Sequence, residues 1–279
     1  NGKFQPEANS DITIDTINLS SLNSSYSNRL SNTSGEFKNR GLNMSFKHNF
    51  AKAGKEWTAD MNINKSKNEN DNNVLNSNFD SPGGLATKSY SQQITGGGEN
   101  EFMTVQTDYT DPLTANSKFE MGARMQSRKV SSFNDISFRN GAGPSVKIPQ
   151  LSSLYTNSEY VYAGYMTYTS KVKNFGYQLG LRAENSSYEG EVKTVAFSGK
   201  DTLLNFSNSF PISLFPSIFL SQKLKGDQEL QLNISRRINR PNFFQLFPFT
   251  DYSDTLNLSR GNPNLVPEFT YSSEMSYTK

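Results

Sequence analysis

Side chains that could do covalent or acid–base chemistry are sparse in this sequence, which has one histidine and no cysteine among 279 residues. His48 lies in an alternating apolar run and has no serine–aspartate partners in evident register, so a catalytic triad is not predicted. The acidic loops 68–73 and 251–254 lack the spaced carboxylates, central glycine and closing glutamate of a calcium loop. The sequence therefore predicts no enzyme, no metal site and no cofactor.

A second group of side chains suits binding rather than catalysis. Between an alternating run that ends near Ile238 and another that starts near Glu268, the chain passes through a long aromatic segment. A tight turn needs only two to five residues, so this segment is expected to do more than reverse the chain. The candidate ligand-binding residues are Phe243, Phe244, Phe247, Asp251 and Tyr252. Alternatively, the rings cap a rim or pack loops on each other.

Composition narrows the class of protein. Hydrophobic residues make up 34% and the mean hydropathy is −0.67, which alone would favour disorder, but aromatic residues reach 12%. A net charge of +2 gives no reason to expect a nucleic-acid partner. No apolar stretch approaches the 18 residues of a transmembrane helix. The composition therefore predicts an ordered protein that has no transmembrane helix and no nucleic-acid partner.

The elements that would position these side chains are strands. Leu42, Met44, Phe46, His48 and Phe50 alternate with polar residues, a period of two that predicts a strand with one apolar face. The pattern returns after a short link and then recurs along the chain. The runs begin near Trp57, Met103, Phe119, Tyr160, Tyr177, Leu214, Leu230 and Phe269. The sequence therefore predicts an all-β chain.

The lengths of these runs and of their connections indicate a membrane barrel. Each run has about 9–11 residues, enough for a tilted strand to cross a bilayer. Short links alternate with long polar stretches at 65–100, 128–157 and 185–210, as expected for periplasmic turns and external loops. The fold predicted is an antiparallel up-and-down transmembrane β-barrel segment of about ten strands. A soluble β-sandwich would have shorter strands, and its connections would not alternate between short and long.

One stretch resembles a known family. RRINRPNFFQLFPF from Arg236, GNPNLVPE from Gly261, and a strand with Glu274 resemble the barrel of TonB-dependent outer-membrane receptors. The branch most similar has an N-terminal carboxypeptidase-regulatory-like domain and a plug. Weaker matches occur in the same order, and the resemblance runs across most of residues 40–279. They are Gln106–Tyr109 before Asp111-Pro112-Leu113, Gly180-Leu181-Arg182-Ala183-Glu184, and Leu214-Phe215-Pro216-Ser217.

The resemblance implies a transporter. Such a receptor is a 22-stranded barrel closed by a plug, with the TonB complex supplying energy for uptake. Residues 1–279 would then be a partial barrel domain, and the plug and barrel-closing strands are expected outside this chain. The implied location is the outer membrane of a Gram-negative bacterium. The expected function is to bind a scarce nutrient in external loops and pass it to the periplasm through a plugged lumen.

The resemblance also implies partners. They are outer-membrane lipid and lipopolysaccharide, the protein's own plug, TonB through that plug, and a surface lipoprotein. Arg236 and Arg237 are expected to contact lipopolysaccharide phosphates or to be solvated rim charges.

Four charged residues fall on the polar side of their runs, which would be the lumen: Glu120, Arg124, Arg182 and Glu184. They are candidates for plug contacts, and the alternative is that they pair with one another across adjacent strands.

Two other functions remain open from the sequence. One is a soluble all-β surface module that binds glycans through exposed aromatic residues. The other is an outer-membrane barrel enzyme, which lacks histidine, serine and aspartate in evident register. Extraction with or without detergent would separate the barrel from the soluble module.

Overall fold

The computed structural model describes residues 2–4, 7–18, 23–81, 83–196, 198–246, 248, 250–251 and 258–279. Strands dominate this part of the chain. In order, they are β1 (Gly2–Phe4), β2 (Glu7–Asn18), β3 (Asn23–Asn49), β4 (Glu56–Phe79), β5 (Ala86–Thr114), β6 (Ser117–Asn140), β7 (Val146–Lys147), β8 (Ser153–Val172), β9 (Phe175–Val195), β10 (Asp201–Lys223), β11 (Glu229–Asn239), β12 (Thr250–Asp251), β13 (Ser259–Arg260) and β14 (Glu268–Thr278). A 3₁₀ turn spans Pro149–Leu151, and one short helix, α1, spans Phe243–Leu246.

The long strands form one antiparallel sheet in the order β3-β4-β5-β6-β8-β9-β10-β11-β14. β1 and β2 both pair with β3, so together they occupy a tenth position at one edge. β7 pairs with the end of β6, and β12 pairs with β13 outside the main sheet. Each strand lies beside the next along the chain, apart from short insertions, as an up-and-down barrel wall requires. The prediction of about ten antiparallel strands is confirmed.

The predicted strand length of 9–11 residues is wrong for most strands. β3, β4, β5, β6, β8, β9 and β10 have 20–29 residues each, and only β11 and β14 have 11. The stretches expected to be long loops are mostly strand. Residues 65–100, for example, continue β4 to Phe79 and begin β5 at Ala86. Above a bilayer both faces of a β-ribbon meet water or protein, so its side chains need not alternate between apolar and polar. The backbone hydrogen bonds between the strands nevertheless continue there.

The outer face of the sheet is apolar over about one bilayer-crossing length. Cross-strand partners Met44, Met61, Val105, Met125 and Tyr162 form one row across five strands. Flanking rows are built in the same way. Exposed members include Leu42, Phe46, Trp57, Met121, Met166, Leu179, Leu181, Leu214, Ile218, Ile234 and Met275. An exposed apolar surface this continuous is stable against hydrocarbon and not against water.

The inner face has the opposite polarity in the same band. Asp60, Gln106, Arg124, Tyr165 and Arg182 lie on it, each offset by one residue from the apolar rows. Beyond the band, the inner face also carries apolar, buried side chains. Its members there are Val74, Ile94, Ile136, Tyr155 and Val192, with Ile94 opposite Ile136 and Tyr155 opposite Val192. The extended halves of the hairpins therefore share an inward apolar core.

A glycine lets an aromatic ring lie flat across the inner face. A Cβ on Gly122 would be 2.6 Å from Cζ of Tyr165 and 2.7 Å from the carbonyl oxygen of Thr107. The hydroxyl of Tyr165 donates a hydrogen bond of 2.5 Å to Asp108 Oδ1. The tyrosine thus covers the glycine and reaches an acceptor two strands away, which fixes β5, β6 and β8 together.

We expect Gly122→Ala in the full-length protein to be destabilised by about 1–3 kcal/mol, because the added methyl group forces the Tyr165 ring or the backbone to shift. The measurement is the unfolding midpoint followed by heat-dependent gel mobility. Gly164→Ala is the matched control, since a Cβ there meets nothing within 4 Å. Equal midpoints for the two variants would contradict the role given to Gly122.

We also expect Met61→Arg to lower stability in bilayers by about 2–4 kcal/mol, because it places a charge on the lipid-facing side near the middle of β4. Asn62→Arg is the control, since residue 62 lies on the inner polar face. The comparison is the denaturant midpoint of both variants refolded into vesicles. If Asn62→Arg proves the more damaging, the assignment of the two faces is reversed.

Candidate functional site

The connection between β11 and β14, residues 240–267, is the predicted aromatic loop, and its ends lie where the sequence indicated. β11 ends at Asn239 and β14 begins at Glu268. Asn242 caps α1: its Oδ1 accepts from the backbone N–H of Gln245 at 3.0 Å, while Gln245 Oε1 accepts from the N–H of Asn242 at 2.8 Å. This reciprocal pair is a capping box with the spacing Asn-x-x-Gln.

The two arms of the connection are tied to each other. The N–H of Asn262 donates to the carbonyl of Gln245 at 2.7 Å, and Arg260 Nε donates to the carbonyl of Pro248 at 2.9 Å. These bonds join residues near α1 to the returning arm that contains the Gly-Asn-Pro-Asn sequence. The described parts of the two arms are therefore held together by hydrogen bonds.

Tyr188 anchors the returning arm to the inner face of the sheet. Its hydroxyl lies 3.3 Å from the carbonyl oxygen of Pro263 and 3.2 Å from that of Leu265, and can donate to either. Nδ2 of Asn208 donates to the same hydroxyl at 3.3 Å. Burial raises the pKa of Tyr188, so the phenol stays protonated and able to donate.

Arg240 anchors the other arm. Its Nη2 pairs with Oε1 of Glu184, and its Nε donates to Ser186 Oγ at 3.4 Å. Arg182 donates to the other carboxylate oxygen of Glu184 from Nε at 2.9 Å and from Nη2 at 2.7 Å. Burial lowers the pKa of Arg240, but a guanidinium remains charged at neutral pH. Glu184, with a side chain only 5% exposed, is thus held between a strand arginine and a loop arginine.

A cavity of about 230 Å³ lies between the connection and the inner faces of β6, β8, β9 and β10. Its sheet side carries Arg128, Asn157, Glu159, Tyr188 and Phe210, and its loop side carries Arg240, Pro241 and Leu246. Charged groups, an amide, hydroxyls and two aromatic rings therefore converge on a small enclosed space. This combination is typical of a site that orients a small ligand.

The four charged residues predicted to line the lumen do lie on the inner face. Glu120 Oε1 forms an ion pair with Lys118 Nζ at 2.9 Å, and Arg124 Nη2 donates a hydrogen bond to Gln126 Oε1 at 3.2 Å. These partners are two residues along the same strand, not across adjacent strands. Arg182 and Glu184 do pair with each other, again within one strand.

The predicted loop residues are only partly within the described structure. Phe243 and Phe244 fall in α1, and Asp251 falls in β12. Phe247 and Tyr252 lie outside the described residues.

Sequence reasoning missed the inner-face residues that meet the connection. Asn157, Glu159 and Tyr188 lie in stretches expected to be loop or loop boundary. The signal for Arg240 was its place directly before Pro241, where the strand must end.

Arg236 is engaged within the chain. Its guanidinium carbon lies 4.4 Å from the ring centroid of Phe269, close also to the rings of Phe215 and Tyr271. Nη1 donates to the carbonyl of Leu214 at 2.9 Å. The side chain therefore ties β10, β11 and β14 together by cation–π contacts and one hydrogen bond.

The described residues bring no group of three histidine, cysteine, aspartate or glutamate side chains into metal-binding range. Within the same ranges, no helix has the length and apolar character needed to cross a membrane.

We expect Tyr188→Phe to loosen the returning arm, because it removes the hydrogen bond to the carbonyls of Pro263 and Leu265, worth about 0.5–1.5 kcal/mol. Limited proteolysis of the full-length protein should then cut within 240–267 several times faster. Tyr162→Phe is the control, since Tyr162 lies on the exposed outer face. Unchanged cleavage in Tyr188→Phe would show that the hydroxyl does not anchor the arm.

Comparison with solved structures finds several similar proteins of low sequence identity. The chain is similar to the ferric yersiniabactin uptake receptor FyuA from Yersinia pestis, with 9% identity and a TM-score of 0.42 over 85% of this chain and 44% of that one. It is also similar to the ferric-catecholate import receptor Fiu from K12 E. coli, with 9% identity and a TM-score of 0.45 over 98% and 51%. The hemophore receptor HasR from Serratia marcescens has 10% identity and a TM-score of 0.42 over 97% and 50%. The chain thus spans about half the length of these proteins.

No curated protein matches the sequence. A family model does match: the outer membrane protein beta-barrel family covers residues 48–279, most of the chain. This confirms the predicted location in the outer membrane of a Gram-negative bacterium, and it favours the membrane barrel over the soluble module. It also agrees with the exposed apolar face of the sheet. The chain belongs to the outer membrane protein beta-barrel family.

Proposed function

We propose that the chain is part of a TonB-dependent receptor that binds a scarce nutrient at its external side and passes it into the periplasm. One observation carries the proposal: residues 240–246 of the connection lie over the polar inner face and close a cavity there, while the outer face is apolar and exposed. Such a wall separates a lipid side from a side that can receive a polar ligand. The motif around Arg236 and Gly261 supports the same family of receptors.

The proposed path runs along the inner face. Glu120, Arg124, Arg182 and Glu184 line it and are proposed to face a plug supplied by the rest of the protein, with TonB acting through that plug. Because each of the four already has a partner within the sheet, a plug would meet satisfied pairs, which can exchange partners at low cost. A surface lipoprotein would act at the external side.

The residues 243–254 are proposed to contact the ligand through Phe243, Phe244, Phe247, Asp251 and Tyr252. Aromatic side chains together with a carboxylate suit capture of an organic nutrient. Binding and passage, without covalent chemistry, are all that this function requires of the barrel.

The test compares nutrients removed from the medium by three strains. One lacks the gene, one lacks TonB energy, and one carries the full-length protein with residues 243–254 replaced by a short Gly-Ser linker. We expect the first two strains to leave the same compounds unused, because uptake needs both the barrel and its energy source. The third should also leave those compounds unused while its protein keeps wild-type heat-dependent mobility.

The control is a Gly-Ser insertion after Gly83 in the β4–β5 connection, where a Cβ added to the glycine would meet nothing within 4 Å. That strain should deplete the medium normally. A compound left unused without the gene but consumed normally without TonB energy would contradict the proposed mechanism.

A further inference from the structure

Two neighbouring short turns carry the same arrangement of side chains. The β8–β9 turn has Lys-Val-Lys at residues 171–173, and the β10–β11 turn has Lys-Leu-Lys at residues 223–225. The backbone N–H of Lys223 donates to the carbonyl of Asn174 at 2.9 Å, so the two turns lie side by side. Every residue of 171–175 and 223–227 is exposed. These two segments, the lysine rim, therefore form one continuous surface.

The lysines of the other two short turns already have carboxylate partners. In the β3–β4 turn, Lys52 and Lys55 both pair with Asp111, at 2.8 and 3.4 Å. At the β5–β6 turn, Lys118 pairs with Glu120 at 2.9 Å. Lysines in these turns are therefore satisfied within the chain, which sets the lysine rim apart.

The lysine rim has a positive charge that is not paired within the described part of the chain. Its four lysines form no ion pair with another described residue. The carboxylates in or beside the two turns are Asp227 and Glu229, so four lysines and two carboxylates give a net charge of +2. Lys279 follows Thr278, the cross-strand partner of Glu229, and adds a further positive charge nearby. An exposed cationic surface of this kind attracts an anionic partner.

Lys173 has a backbone conformation that disfavours a lysine. Its φ is +54°, in the left-handed region where glycine and asparagine are the usual residues. The β3–β4 and β10–β11 turns place Gly54 and Gly226 in that region. A lysine at the tip of a turn despite this cost indicates a contact made by its ammonium group.

Apolar side chains place the lysine rim at the boundary of the lipid. Val172, Phe175 and Leu224 continue the outer rows of their strands and are 58%, 40% and 45% exposed. The ring of Phe175 stacks on that of Tyr177 with centroids 6.1 Å apart, and such rings gather where hydrocarbon meets headgroups. Short turns of outer-membrane barrels lie on the periplasmic side. The rim therefore lies at the headgroups of the periplasmic leaflet.

The two lysines at the tips are placed to reach this leaflet. Lys173 and Lys225 lie beyond the last cross-strand pairs of their hairpins, so strand alternation does not assign them to the inner face. Lys171 and Lys223 start from the inner side and add to the positive potential. A flexible lysine stem lets the ammonium group reach a phosphate while a neighbouring apolar side chain stays in hydrocarbon.

We infer that the lysine rim binds anionic phospholipid headgroups of the periplasmic leaflet. The ammonium groups of Lys173 and Lys225 pair with the headgroup phosphates, and Val172 and Leu224 pack against the acyl chains. A polymer in the periplasmic water, such as peptidoglycan, would leave these apolar side chains uncovered. The contact fixes the level of the barrel in the membrane, and it is independent of any nutrient that the receptor takes up.

The test is native mass spectrometry of the purified full-length protein in detergent, titrated with phosphatidylglycerol or with phosphatidylcholine of the same acyl chains. Both lipids have a phosphate, but only phosphatidylglycerol has a net negative charge. Phosphatidylglycerol should reach half-occupancy at a concentration about 25-fold lower, because each of the two tip lysines contributes about fivefold near an anionic headgroup. Equal retention of the two lipids overturns the inference.

Variants locate the contact. The double variant Lys173→Gln/Lys225→Gln should lose this preference and retain the two lipids equally. The control is Lys52→Gln/Lys118→Gln, which removes the same charge from turns whose lysines have carboxylate partners. It should keep the preference, and both double variants should keep wild-type heat-dependent mobility. Equal loss of the preference in both would show an effect of total charge and overturn the assignment to the lysine rim.

The same variants test two other occupants. If the lysine rim contacts the plug, Lys173→Gln/Lys225→Gln keeps the preference for phosphatidylglycerol and unfolds at a lower temperature than the control. If it contacts peptidoglycan, that variant keeps the preference and loses co-sedimentation with purified sacculi. Either outcome overturns the assignment to lipid.

Discussion

The structure depends on hydrogen bonds between the backbones of neighbouring strands. In hydrocarbon no water is present to satisfy an N–H or C=O group, so each membrane-crossing strand needs a hydrogen-bonded neighbour on both sides. The ladders from β3 to β14 meet this condition for all the strands between the two edges. Because the backbone groups are paired with one another, the side chains alone determine the polarity of each face. In the band they make the outer face apolar and the inner face polar.

The inner face of β4, β5, β6, β8 and β9 gains buried apolar residues beyond the band for a physical reason. In the band, the outer face meets lipid and takes the apolar residues, while the inner face borders an aqueous lumen. Above the band no lipid remains, and the hairpins gain stability only by burying apolar groups against protein. Val74, Ile94 and Ile136 therefore lie on the same face as Asp60, Gln106 and Arg124. The change of solvent outside the barrel decides which face carries the core.

The same change of solvent explains what the sequence could and could not predict. Membrane-band strands were predictable because lipid on one side and water on the other impose a period of two. The upper halves of β4 and β5 were not, because residues such as Asn72 and Gly97 lie in ribbons whose faces are both mixed. The capping box from Asn242 to Gln245 is local and can be read from spacing. The bond from Tyr188 to Pro263 joins residues 75 positions apart, and only the fold brings them together.

Glu184 couples the wall of the barrel to the connection above it. Its carboxylate is shared by Arg182 from the sheet and Arg240 from the connection, and the group is nearly enclosed. Removing one partner of a buried pair is costly, whereas exchanging one cation for another is not. An incoming cationic group that replaced Arg240 at Glu184 would thus release one arm of the connection without leaving the carboxylate unpaired. The position of the arm that contains Arg240 therefore depends on the pairing of one buried carboxylate on the inner face.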